Sequence, residues 1–89
     1  MTEREFRDLL KTEGFPEPVN VTWERGKHNA AHAHDFTAKG LVLEGKVTIS
    51  SDTGVQTCGE GDTFFMAAGV EHVEQVGPEG AKLLVGRLQ

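Results

Sequence analysis

The sequence has a single cysteine, Cys58, and contains no long run of apolar or of basic residues. One cysteine cannot form an internal disulfide, so we expect a reducing, cytoplasmic setting. No apolar stretch approaches the ~20 residues that a membrane helix needs. Residues 1–5 are charged and lack the apolar stretch of a secretory signal. Lysine and arginine are scattered and the net charge is −5, which argues against a nucleic-acid partner.

The size of the chain permits only one small core. It has 89 residues, of which 37% are hydrophobic, and this lies near the lower end of what folds alone. Because no disulfide can support so small a core, a metal ion or a partner subunit is the obvious substitute.

One helix is predicted, over residues 3–12. Thr2 and Glu5 form the T-x-x-E capping box that begins a helix, and Gly14 and Pro16 end it. The apolar positions recur at i, i+3 and i+4 as Phe6, Leu9 and Leu10. We expect this face to cover a barrel end or a sheet edge, with a dimer contact as the alternative.

The rest of the chain has the pattern of short strands separated by turns. Residues 19–24 alternate apolar and polar side chains, as in a half-buried strand. The pattern predicts about seven strands at the spacing of a sandwich or closed barrel. Glycine-rich segments place a tight hairpin at Glu44-Gly45 and further turns at residues 52–54, 59–62, 68–69 and 77–80.

The four histidines are unevenly distributed. His32 and His34 are two residues apart, which on a strand puts both imidazoles on one face, about 7 Å apart along the backbone. His72 is the remaining histidine that a neighbouring strand could bring to the same ion. His28 belongs to the same stretch, and its simplest interpretation is a solvated loop residue; a place at a pocket rim is the alternative.

These spacings resemble the two motifs of the cupin superfamily. The first, G-x5-H-x-H-x3,4-E-x6-G, matches Gly26, His32, His34 and Gly45. The second, G-x5-P-x-G-x2-H-x3-N, matches Gly61, Gly69 and His72. The resemblance covers residues 26–76. It implies an all-β fold, a cupin-type jelly-roll barrel (double-stranded β-helix), as a single domain over residues 1–89, with the helix in residues 1–14 and the barrel in residues 19–89.

The chain departs from the motifs at three positions. Ala38 stands where the family has its glutamate ligand, Ala67 replaces the proline and Val76 replaces the asparagine. The first departure matters most, because a methyl group cannot coordinate a metal. The resemblance then implies a site of three neutral imidazoles, from His32, His34 and His72, with open coordination positions.

Such a site suits a divalent transition metal (Fe, Zn, Ni, Mn or Cu) rather than Mg or Ca. The resemblance to three-histidine cupins permits non-haem dioxygenase chemistry, but it also permits a non-catalytic module that binds a small ligand or a metal. A metal-free structural protein is the third possibility. Small cupins commonly pair through sheet edges, so we expect a homodimer.

Glu74 follows His72 by two residues and should lie on the same strand face. It is a candidate general base or carboxylate partner for the ion; a solvated residue at the barrel mouth is the alternative. Parity places Asp35 and Glu71 outside, and Cys58 is expected to be a buried or idle thiol. Five large side chains could line a pocket or fill the core: Trp23, Phe36, Phe64, Phe65 and Met66.

Overall fold

A computed structural model describes residues 1–89 as one helix and six antiparallel strands. The elements are α1 (Glu3–Thr12), β1 (Val19–Trp23), β2 (His28–His32), β3 (Thr37–Ser51), β4 (Gly54–Cys58), β5 (Thr63–Met66) and β6 (His72–Leu88). This is the all-β fold with one short helix that the sequence predicts, with six strands instead of about seven. None of the helical structure is long and apolar enough to span a membrane.

The helix has its predicted bounds and its predicted cap. Thr2 Oγ1 accepts a hydrogen bond from the Glu5 backbone N–H at 3.2 Å, and Glu5 Oε1 accepts one from the Thr2 N–H at 2.9 Å. The bond that the Thr2 backbone N–H donates to the carboxylate, followed by hydrogen bonding from the Thr2 side chain, lowers the pKa of the Glu5 carboxyl. The capping box therefore satisfies two amide groups that the first turn of the helix would leave unpaired.

The helix packs on the outer face of the sheet, so the expectation that it covers a barrel end or an edge was wrong. Phe6 and Leu10 are buried against Leu41 and Leu84, which are register partners on β3 and β6. A Cβ at Gly86 would lie 2.8 Å from Leu10 Cδ1, so the glycine lets the helix approach the strand closely. The outward-facing leucines of the two central strands form the apolar surface on which the helix packs.

Strands β3 and β6 are unusually long, and they pair with each other along most of their length. The first part of β3, up to Gly45, pairs with the last part of β6, and this half also binds β1 and β5. The remaining part of β3 pairs with the first part of β6 and binds β2 and β4. The two long strands thus pass from one four-stranded layer to the other, as in a jelly roll.

The predicted hairpin at Glu44-Gly45 is wrong, because β3 continues through it. Gly45 has φ of 86°, and a Cβ there would lie 1.9 Å from the Gly80 carbonyl oxygen. Register shifts on both sides of this position bend the strand as a bulge does. Glycine is needed here for the close approach of two backbones and not for chain reversal.

The predicted turn at residues 77–80 is also wrong. Gly45 pairs with Ala81 and Val47 pairs with Val76, so residues 77–80 form an insertion within β6. The strand keeps its direction through this insertion. The turns at residues 52–54, 59–62 and 68–69 are confirmed, since each separates two consecutive strands.

The core lies between the two layers. Its buried residues are Ala38, Val42, Val47, Ile49, Cys58, Phe64, Met66, Val76, Ala81, Leu83 and Val85. Phe64 fills the space above Gly40, where a Cβ would lie 2.0 Å from the Phe64 ring. The core ends beside the histidines, so its apolar wall becomes one side of the site.

Candidate metal centre

Strand pairing brings the three predicted histidines together. His32 ends β2, His72 begins β6, and the two are register partners. Their ring centroids are 4.4 Å apart, and His34 lies 4.8 Å from His32 and 5.1 Å from His72. Each ring offers one nitrogen such that all three nitrogens lie within 4.8 Å of one another.

The sequence suggested that His32 and His34 lie on one strand. In the structure His34 lies beyond the end of β2. Its carbonyl oxygen accepts a hydrogen bond from the Gly69 N–H at 2.7 Å, and its ring stacks on Phe36 at 4.6 Å. Burial lowers the pKa of His34, and the neighbouring His32 and His72 lower it further. His34 is therefore a neutral imidazole with a free lone pair over a wider pH range than an ordinary histidine.

Two of the rings are held in one orientation by backbone carbonyls. His32 Nδ1 lies 2.7 Å from the Ala30 oxygen, and His72 Nδ1 lies 3.2 Å from the Val70 oxygen. A ring nitrogen facing a carbonyl must carry the proton, so in the neutral rings Nε2 holds the lone pair. This is how metal-binding histidines are usually oriented.

His72 Nε2 has no hydrogen-bond partner, although it is fully buried. A buried polar atom left in this state destabilises a protein by about 1–3 kcal/mol unless something binds it. This nitrogen has a fixed lone pair and no partner, so it is suited to bind an electron-pair acceptor such as a metal ion.

Glu74, on the inner face of β6, lies next to the three histidines. It is 3% exposed, its Oε1 is 3.6 Å from His32 Nε2 and its Oε2 is 3.7 Å from His72 Nε2. Both distances are too long for hydrogen bonds. Burying a carboxylate beside two lone pairs is electrostatically unfavourable, and a cation between them would relieve this. The burial of Glu74 contradicts the alternative of a solvated residue at the barrel mouth, and its role stays a prediction.

Asn29 is a site residue that the sequence did not reveal. It is the register partner of Glu74, and its Nδ2 donates to Glu74 Oε1 at 2.8 Å. Its only sequence signal is a place three residues before His32, and that becomes meaningful once the pairing of β2 with β6 is known.

A pocket of about 480 Å³ opens beside this cluster. Its walls are mostly apolar, and Ala38 is buried there with its methyl group facing inward, as parity predicted. The other lining residues are Val21, Trp23, His28, Asn29, Ala30, His32, His34, Phe36, Phe64, Met66, Glu74, Val85 and Arg87. Four of the five large side chains proposed for the core or the pocket therefore line the pocket.

The fifth, Phe65, does not: it is 49% exposed on the outer side of β5. His28 begins β2 and is not in a loop; it lies at the pocket rim, where its Nδ1 is 2.9 Å from Gln75 Oε1. Asp35 and Glu71 are exposed, as expected. Cys58 is a buried thiol, and burial raises its pKa.

The jelly-roll fold and the motif spacing define a small cupin domain. Residues 23–84 match the AraC-like ligand-binding domain, and the chain belongs to that family. No protein of curated function matches the sequence.

Solved structures agree with this assignment. An RmlC-like cupin from Shewanella frigidimarina is 27% identical, with a TM-score of 0.66 over 81% of this chain and 66% of that one. Oxalate decarboxylase from Bacillus subtilis is also 27% identical, with a TM-score of 0.67 over 81% of this chain. KdgF from Halomonas sp. is 19% identical, with a TM-score of 0.67 over 83% of this chain and 71% of that one, and shows the fold alone. The chain spans about two thirds of the Shewanella cupin but only 20% of the oxalate decarboxylase.

Proposed function

We propose that this cupin binds one divalent transition metal through His32, His34 and His72 and binds a small molecule beside it. The observation that carries the proposal is His72 Nε2, a buried nitrogen with an oriented lone pair and no partner, 3.7 Å from the Glu74 carboxylate. A metal ion at this place would give the nitrogen a partner and neutralise the carboxylate in one step.

The donor set limits the metal. Imidazoles with one nearby carboxylate suit Fe, Zn, Ni, Mn or Cu, whereas Mg and Ca prefer oxygen ligands throughout. When bound, such an ion supplies Lewis-acid or redox chemistry at open coordination positions. The Mn(II) centres of the similar oxalate decarboxylase are consistent with this range of metals.

We assign the catalytic role to Glu74. Asn29 holds Oε1 of its carboxylate, which leaves Oε2 to accept a proton from a molecule bound in the pocket. Glu74 is buried, so a proton held there would not be lost quickly to solvent. With these parts the domain would act as a metal-dependent oxygenase or as another small-molecule enzyme.

The second candidate is a non-catalytic ligand-binding module. It is favoured by the match to the AraC-like ligand-binding domain. Both candidates use the same pocket and the same metal.

The first experiment measures metal content. Untagged protein, stripped of metal, is titrated separately with Fe(II), Mn(II), Ni(II), Zn(II) and Cu(II), and bound metal is measured by elemental analysis. We expect about one equivalent of at least one ion, lost in His72→Ala and kept in His28→Ala, which removes a histidine outside the cluster. If the wild-type protein takes up no metal, or if both variants take up the same amount, the proposal is wrong.

Turnover separates the two candidates. Metal-loaded protein is incubated with a panel of small carboxylic acids, enols and phenols, and substrate loss and dioxygen consumption are followed. An enzyme should convert a panel member and lose at least about a hundredfold in rate in Glu74→Gln, the usual range for general acid–base groups. A binding module should bind panel members and leave them unchanged.

A further inference from the structure

Arg87 is an unpaired cation at the mouth of the pocket. Its guanidinium carbon lies 5.6 Å from the centroid of the Phe36 ring, and it forms no ion pair and no side-chain hydrogen bond. Three of the nine basic residues are bound to a glutamate, namely Arg7, Lys39 and Lys82, and Arg87 is among the six that are not. Arg87 is also the only lysine or arginine that lines this pocket, in a chain whose net charge is −5.

The residue opposite Arg87 cannot form an ion pair with it. Arg87 and Ala38 are register partners on adjacent strands, and both line the pocket. Side chains directly opposite each other on antiparallel strands have Cβ atoms about 4.5–5.5 Å apart. Position 38 holds the glutamate ligand in the cupin motif, so a carboxylate there would serve the metal site and lie beside the arginine. Alanine leaves the arginine without that partner.

We infer that the small molecule bound by this pocket carries a carboxylate, which occupies the space left by Ala38 between the metal position and Arg87. The inference rests on the proposed function, since one carboxylate oxygen needs the ion as its partner. The other oxygen accepts a charge-assisted hydrogen bond from the guanidinium. No covalent bond changes in this step.

The walls define the rest of the molecule. Trp23, Phe64, Met66 and Val85 contribute apolar surface to the pocket. A phosphate would need several donors for its three oxygens, and this pocket has one arginine and no lysine. The ligand class is therefore a small monocarboxylate with an apolar body.

Benzoate is the probe, and benzamide is its uncharged counterpart of the same shape. Binding of each to zinc-loaded protein is measured by calorimetry and by NMR shifts. We expect benzoate to bind and benzamide to bind much more weakly. Arg87→Gln should weaken benzoate binding by about tenfold or more, in line with loss of a hydrogen bond between charged groups. It should not weaken zinc binding, because it removes a positive charge that acts on His34. Lys82→Gln is the matched control, since it removes one positive charge from the same strand outside the pocket.

A second variant tests the location. Ala38→Glu restores a carboxylate beside Arg87, and we expect it to tighten zinc binding and to abolish benzoate binding. Equal binding of benzoate and benzamide would overturn the inference, as would an Arg87→Gln variant that binds benzoate as the wild type does. If zinc binds normally in these cases, only the inference fails. If no metal binds, the proposed function fails and the inference fails with it.

Discussion

At the scale of single residues, Asn29 links strand pairing to the charge of the site. It lies opposite Glu74 across β2 and β6, and its amide is the only hydrogen-bond donor to that buried carboxylate. Groups that hold a metal-site residue in place typically change metal affinity 10–100-fold when removed. We therefore expect the amide to affect metal affinity, although Asn29 is not one of the three histidines proposed as ligands.

We predict that Asn29→Ala weakens zinc binding by about tenfold, because the Glu74 carboxylate loses the bond that holds it beside the histidines. Competition with a chromophoric chelator measures the affinity. Asn20→Ala, the same change at an exposed position of β1, should bind zinc as the wild type does. Equal affinity in the two variants would contradict the role of Asn29.

Gly40 is a residue whose missing side chain matters. Phe64 occupies the space that any Cβ at this position would need. We predict that Gly40→Ala lowers the free energy of unfolding by about 1–3 kcal/mol, the usual effect of overpacking, as measured by urea denaturation. Gly59→Ala is the control, since the nearest atom to its added Cβ would be 3.9 Å away. A Gly40 variant as stable as the control would show that the ring moves aside freely.

Single residues were predictable where a motif fixes their spacing. His32, His34 and His72 were found because the glycine and histidine registers of two motifs agree. Asn29 and Arg87 were not found, since their importance comes from the residues opposite them, Glu74 and Ala38. Those pairings depend on the register of strands far apart in the sequence, which no local pattern determines.

At the scale of elements, α1 depends on its first turn. Thr2 closes the capping box, and the apolar face beyond it reaches Leu41 and Leu84. We predict that Thr2→Ala destabilises the protein by about 1 kcal/mol, the usual loss for an N-cap, in the same urea assay. Thr12→Ala, at the last residue of the helix, should change stability much less. The reverse order would mean that the cap does not stabilise the docked helix.

The helix was predictable to the residue, whereas the two long strands were not. The signals that start and end α1 all lie within it or next to it. Gly45 carries the same local signal for a hairpin and for a bulge, and the choice is made by the Gly80 backbone, thirty-five residues away. A positive φ in glycine indicates that the backbone changes direction. Whether the change is a bulge or a full chain reversal depends on the tertiary contact.

At the scale of the whole molecule, metal binding should raise the melting temperature of the domain. A ligand that binds only the folded state adds about 2.7 kcal/mol at a free concentration of 100 times Kd. For a domain of this size each kcal/mol raises Tm by about 4–8 °C. We predict a Tm rise of about 10 °C or more on zinc addition, reversed by a chelator and absent in His72→Ala. A rise of the same size in that variant would indicate zinc bound elsewhere.

The overall class of fold was predictable because motif spacing and strand pattern agreed, but the seating of the helix and the bending of the long strands were not. The homodimer stays a prediction. Val55 and Phe65, on β4 and β5, are large apolar residues with more than a third of their surface exposed, and a second subunit would be one way to cover them.

The position of β6 has a consequence for biosynthesis. This strand supplies His72 and Glu74 at its beginning and Arg87 at its end, and it is the partner of β1, β2 and β3. On the ribosome the preceding strands would therefore emerge without their central neighbour. Until β6 has left the exit tunnel, β1 and β2 lack their partner strand, and β3 can pair only with β4 and β5.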